Sequence, residues 1–188
     1  MAEREIIDAA EELLRERPFR ELTVDEVMRR TELSRPSFYV YFRDRHHLVL
    51  KVVERLTAET SVMADVWYTA EGSGRDVIRE ATAGVVDVFA NHGAVLEALA
   101  DAAADDPEVE AAYRGSLEFF IDATARHIER EREAGNMLPC NAWETARALS
   151  IMNERYMAAV LGRNPTVDPE VVVDTLTTIW TRTLYGDR

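Results

Sequence analysis

The chain has 188 residues, 47% hydrophobic and 30% charged, enough for one domain of ordinary size or a small module joined to a larger one. That apolar fraction excludes a disordered chain, eight Gly and six Pro exclude collagen-like or low-complexity sequence, and no apolar run approaches the roughly 20 residues that span a bilayer. With 22 basic against 35 acidic residues the net charge is −13, which excludes a protein that coats nucleic acid non-specifically, because phosphate neutralisation supplies that affinity.

Almost all of the sequence repeats with a helical period, and no stretch alternates long enough to predict a sheet. Ile6, Ile7, Ala10, Leu13 and Leu14 form the first stripe, and Pro18 ends it. Thr23-Val24-Asp25-Glu26 is a capping box: the threonine hydroxyl takes an amide three residues on, and Glu26 returns the bond. A second short helix opens at Ser34-Arg35-Pro36, with Ser34 as N-cap and proline in the first turn, where amides lack intrahelical partners. Asp44 caps a much longer helix carrying Val49, Val52, Val53, Leu56, Met63 and Trp67. Across these elements the window Arg29–Lys51 holds six basic and two acidic residues, with His46 and His47 among them. Residues 57–188 instead carry 11 basic and 23 acidic groups, so a local basic docking patch sits on a body that repels polyanions.

Glu71-Gly72-Ser73-Gly74 reads as a flexible break. Val77, Ile78, Ala81, Val85, Val88 and Phe89 form the next helix, Asn91-His92-Gly93 interrupts it, and Val95 to about Ala104 form another. Asp106-Pro107-Glu108 combines an N-cap, a first-turn proline and an acid favoured by the helix dipole, and Gly135 is the expected stop. Asn141-Ala142-Trp143-Glu144 is a second capping box whose helix ends near Gly162, and Asp168-Pro169-Glu170 starts a last helix that closes at Gly186. The expected fold is all-α with about nine helices: a three-helix head over residues 1–48 and a larger helical body over 49–188.

Thr23–Tyr41 has the dimensions of a helix-turn-helix, whose second helix sets its N-terminal residues against base edges in the major groove. Ser34, Arg35, Ser37, Tyr39 and Tyr41 are the side chains placed to reach double-stranded DNA, and Thr23 offers a hydroxyl or a helix-start amide to a phosphate. By pattern alone, two ordinary short helices in a bundle remain an open alternative. The particular residues Phe19 to Val27, Ser34-Arg35-Pro36-Ser37-Phe38-Tyr39-Val40-Tyr41-Phe42, Arg45 and Leu48 closely resemble the TetR family of bacterial transcriptional repressors. That resemblance implies a dimeric repressor, and it puts Arg45 at the family's lysine position, suited to clamp a phosphate. The family's turn carries Ala-Gly where this chain has Thr31-Glu32, which predicts a left-handed backbone at Glu32 without glycine's freedom and a carboxylate near the DNA.

Ser150-Ile151-Met152-Asn153-Glu154-Arg155 and Thr175-Leu176-Thr177-Thr178-Ile179-Trp180, closing with Leu184-Tyr185-Gly186, are similar to the EthR-type branch of that family. The likeness implies an elongated apolar pocket in the body. By position its wall comprises Ile78, Val85, Phe89, Tyr113, Leu117, Phe120, Thr124, Asn153 and Trp180, with aliphatic residues at Ile78 and Val85 where the branch has aromatic ones. On the residues alone, Asn153 falls on the apolar face of Leu149, Met152, Tyr156, Met157 and Val160, where an amide must be satisfied by the protein or by a ligand. The expected effector is small, uncharged or weakly polar and largely apolar. The threonine-rich last helix, with Val171, Val172 and Val173 at its start, is a mediocre helix former that needs packing on more than one side, which predicts a homodimer seam from the last two helices.

An enzyme is not expected. Cys140 follows Pro139 with no histidine nearby in sequence, His46 and His47 are adjacent rather than four apart, and there is no P-loop, G-x-S-x-G elbow or dinucleotide fingerprint. His127 and Glu131 have a ligand-like spacing, but on an exposed-looking face, so no metal or cofactor is expected. The charged Met1–Glu5 start leads into no signal-peptide core and one cysteine forms no internal disulfide, so the expected compartment is the cytoplasm, with no membrane partner. The competing class is a helical interaction or ligand-binding module without sequence-specific DNA binding.

Overall fold

The computed structural model describes residues 1–69 and 74–186, with side chains described outside 59–73. The helix faces read for Met63 and Trp67 and the break at Glu71-Gly72-Ser73 lie outside the described residues. Eight α-helices follow in order: α1 Ala2–Glu16, α2 Val24–Arg29, α3 Arg35–Tyr41, α4 Arg45–Thr69, α5 Gly74–Asp105, α6 Pro107–Glu133, α7 Ala142–Leu161 and α8 Pro169–Tyr185. A 3-10 turn, Phe19–Glu21, joins α1 to α2, and no strand occurs among the described residues.

Helix boundaries follow the local chemistry. α1 buries Ile6, Ile7, Ala10, Leu13 and Leu14 and ends where Arg17, held extended before Pro18, leaves the helical region. Thr23, Asp44, Asp106, Asn141 and Asp168 each accept a hydrogen bond from an amide two or three residues on. Ser34 differs: it is the N-cap of α3 by backbone, but its hydroxyl pairs with that of Ser37 at 3.0 Å instead of capping. Gly135 and Gly186 take positive φ (77° and 80°) just past α6 and α8, the C-terminal stops that glycine permits.

The interruption expected at Asn91-His92-Gly93 does not occur; α5 runs unbroken through it. Gly93 is instead a crossing point, because a Cβ there would overlap the Leu161 carbonyl at the end of α7. α5 is long and apolar enough by length and composition to cross a membrane, yet here it is the axis against which α1, α4, α6, α7 and α8 all pack. One buried cluster spans the head and continues without a gap through Val49, Val52, Val53 and Leu56 of α4 into Val95, Leu99 and Ala102 of α5. Packing therefore does not stop at residue 48.

Candidate DNA-reading head and effector cavity

α3 is seven residues long and lies flat on the head. Phe38 and, just beyond the helix, Phe42 fill the core beneath it with rings 5.3 Å apart, which turns the opposite face to solvent. That face presents Ser34, Arg35, Tyr39, Val40 and Tyr41; Ser37 is half-buried, and Thr23 is exposed at the start of α2. Val40, 75% exposed, is an apolar side chain on the same face that the sequence did not single out. Arg35 is held across the two helices by Asp25, Nε to Oδ1 at 2.7 Å, and its guanidinium lies 6.0 Å from the Tyr39 ring. Both side chains of this pair are exposed.

The turn between α2 and α3 is built without glycine. No non-glycine residue among those described has positive φ, so Glu32 is not left-handed as its position predicted. The Thr31 hydroxyl donates to the Met28 carbonyl (2.9 Å) and accepts from the Leu33 amide (3.2 Å), and the Glu32 amide donates to Glu5 of α1 at 3.0 Å. A side-chain turn replaces the left-handed one. Thr23 donates to Glu26 at 2.7 Å, and that bond, ahead of the nearby Arg17, holds the Glu26 carboxyl below its ordinary range.

Arg45 sits with its guanidinium 4.7 Å from the Phe19 ring centroid and donates to the Leu22 carbonyl at 3.2 Å, bracing the 3-10 turn from the start of α4. His46 sits toward the body, its ring tilted at 57° to that of Phe19 with centroids 5.0 Å apart and its Nδ1 3.8 Å from the Asp106 carboxylate, and His47 Nδ1 accepts from the Arg43 amide. Arg43 reaches Glu108 of α6 at 2.8 Å. The segment that opens α4 thus meets the start of α6 through the Arg43–Glu108 ion pair and the close approach of His46 to Asp106.

In the body, α4 to α8 line a partly open cavity of about 150 Å³. Eight of the nine positions read for a pocket line it: Val85, Phe89, Tyr113, Leu117, Phe120, Thr124, Asn153 and Trp180. Ile78 does not; it is fully buried in the core beside Val77 and Ala81, because α5 turns it away from the cavity. Trp180 Nε1 donates to Asn153 Oδ1 at 3.0 Å, which fixes the amide's orientation and leaves Nδ2 as its free-to-donate end. Ser150 and Glu154 also line the wall and were missed; the charge of Glu154 hid its place at the edge of the apolar face. Tyr113 donates to Glu154 Oε1 at 2.5 Å, and burial together with that bond pushes the phenol well above its ordinary pKa. His127, read as exposed, is buried (5% accessible).

Residues 6–52 match the model of bacterial regulatory proteins of the tetR family, and residues 78–186 match that of the C-terminal domain of the transcriptional regulator EthR. The chain belongs to the TetR family. The HTH-type transcriptional regulator EthR of Mycolicibacterium smegmatis is 34% identical, over 96% of this chain and 85% of that protein. The EthR of Mycobacterium tuberculosis is 32% identical over 97% and 86%. The crystal structure of the regulatory protein TetR from Rhodobacter sphaeroides superposes with a TM-score of 0.76 at 22% identity, covering 97% of this chain and 98% of that one, and so shares its fold. Regulators of the TetR family bind operator DNA and act as dimers, and this chain is a family member with the DNA-binding part at its N-terminus.

Proposed function

We propose that the protein is a ligand-responsive repressor that grips a pseudo-palindromic operator with two copies of α3 and lets go when a small, largely apolar molecule fills the body. The observation that carries it is the joint geometry of an outward α3, with Arg35 paired to Asp25 through Nε, and a cavity in the body joined to it through α4 and α6. Arg35 reads a base, Tyr39, Tyr41, Ser34 and Ser37 flank it, and Thr23 and Arg45 meet phosphates. The effector's acceptor takes the Asn153 Nδ2 hydrogen bond, and Phe89, Phe120 and Trp180 supply apolar burial. Occupancy shifts the population toward a splay in which the heads no longer match major grooves about 34–36 Å apart. The contacts of Arg43 with Glu108 and His46 with Asp106 are the route by which α6 moves α4.

The dimer seam is the uncovered side of α7 and α8. Trp143, Ile151, Val171 and Ile179 are exposed apolar residues on that side (48%, 43%, 52% and 36%), while Val172, read as a seam residue, is wholly buried in its own subunit. The test uses operators selected from random-sequence duplex DNA. Arg35→Ala is expected to weaken binding and relax preference at one base pair, by about 1–3 kcal/mol for a bidentate guanine contact. Arg45→Ala is expected to weaken all sequences alike and flatten the salt dependence. A selected operator bound equally by wild type and both variants would remove the helix-turn-helix assignment.

A further inference from the structure

Glu154 is the single charged side chain in the cavity wall among the described residues, and it is an acid. Its side chain is 14% exposed. On the inner side it is held by the Tyr113 hydroxyl at 2.5 Å; on the outer side Arg155 lies 3.4 Å away, itself 78% exposed and therefore screened by water. No lysine, arginine or histidine lines the cavity among the described residues. The other polar groups there are hydroxyls, of which Thr57 and Ser116 bond each other at 3.0 Å, the Asn153 amide and the Trp180 indole N–H that bonds to it. Four aromatic rings, Phe89, Tyr113, Phe120 and Trp180, share the wall with the carboxylate.

Such a wall discriminates by charge. A carboxylate ligand entering it leaves water to face a like charge and no cation, with a single amide donor to receive it. An ammonium gains an opposite charge in a poorly solvated site and the faces of aromatic rings, which attract cations. We infer that the effector class of this cavity is an apolar amine, its ammonium at Glu154 and its apolar body among the aromatic rings. The inference rests on the effector cavity proposed above and changes the chemistry expected from sequence, an uncharged or weakly polar molecule, because the sequence did not place Glu154 in the wall.

The test compares three probes of one shape, 2-phenylethylamine, 2-phenylethanol and phenylacetate, titrated calorimetrically into wild type and into Glu154→Gln. Glutamine keeps an acceptor for the Tyr113 hydroxyl, and circular dichroism together with an unchanged denaturation midpoint verifies the fold. Wild type is expected to bind the amine at least tenfold more tightly than the alcohol and the carboxylate most weakly. In Glu154→Gln the preference of amine over alcohol is expected to fall to about twofold or less. An amine preference that survives in Glu154→Gln would assign it to the acidic surface and overturn the inference, as would a carboxylate bound as tightly as the amine. Binding of none of the three would overturn the cavity as an effector site, and the inference with it.

Discussion

The Thr31 hydroxyl serves two backbone groups at once in the helix-turn-helix, so its removal leaves both the Met28 carbonyl and the Leu33 amide without that partner. Thr31→Val is predicted to destabilise the head by about 1 kcal/mol, seen as a lower denaturation midpoint with unchanged slope. Two phenols give a pH signature. Tyr185 is pushed up to about 12, by burial first and by Glu131 second, and Tyr113 is raised further. The unfolded phenols ionise near 10, so the fold's stability from these groups is intact below pH 10 and declines as pH rises through 10 toward 12. Ultraviolet titration of wild type should show a step near 12 that Tyr185→Phe lacks; an unchanged curve would contradict the assignment. At this scale the sequence named most of the residues but not their states. Asn153 and Trp180 were legible as wall positions, whereas their bond to each other, the pairing of Arg35 with Asp25 and the bracing role of Arg45 depend on which way long side chains fold back, and periodicity carries no such information.

Among the elements, the caps were readable because a cap is a local bond between residues two or three apart, and five N-cap bonds form, although at Thr23 the hydroxyl also donates to the Glu26 carboxylate expected to bond its amide. The misread element is α5. Asn91-His92-Gly93 looks like a break when only the chain itself is considered; glycine is there because another helix end presses on it. A Cβ at residue 93 would sit 2.8 Å from the Leu161 carbonyl carbon and 3.1 Å from the Gly162 Cα, backbone that cannot turn aside. Gly93→Ala is therefore predicted to destabilise by about 1–3 kcal/mol, despite alanine's better helix propensity. Gly115→Ala in α6 meets nothing within 4 Å and is predicted to stabilise by about 0.5–1 kcal/mol. Thermal melts of both variants at one protein concentration decide this: opposite signs support the crossing, and a stabilised Gly93→Ala would refute it.

For the whole molecule, the charge division fits a head that meets DNA on a body that does not. The head's cations are largely paired internally, Arg30 with Glu12 and Glu16, Arg43 with Glu108 and Arg17 with Glu26, which limits non-specific phosphate attraction and leaves discrimination to base contacts. The proposed assembly uses the uncovered faces of α7 and α8. Ile179→Asp is predicted to leave a folded monomer near 21.3 kDa by sedimentation, while Val172→Asp unfolds the subunit, because only the first residue lies outside the core. The dimer was legible through the family resemblance, whereas the facing residues of the last two helices were not, since a buried and a seam-forming valine look alike in one sequence. The central claim is that cavity and head are coupled, and coupling is reciprocal. The decisive measurement is the affinity of the best-binding phenylethyl probe with and without saturating selected operator, alongside operator affinity with and without the probe. The account predicts that each ligand weakens the other by the same factor, tenfold corresponding to about 1.4 kcal/mol. Equal probe affinity in the presence and absence of operator would contradict it.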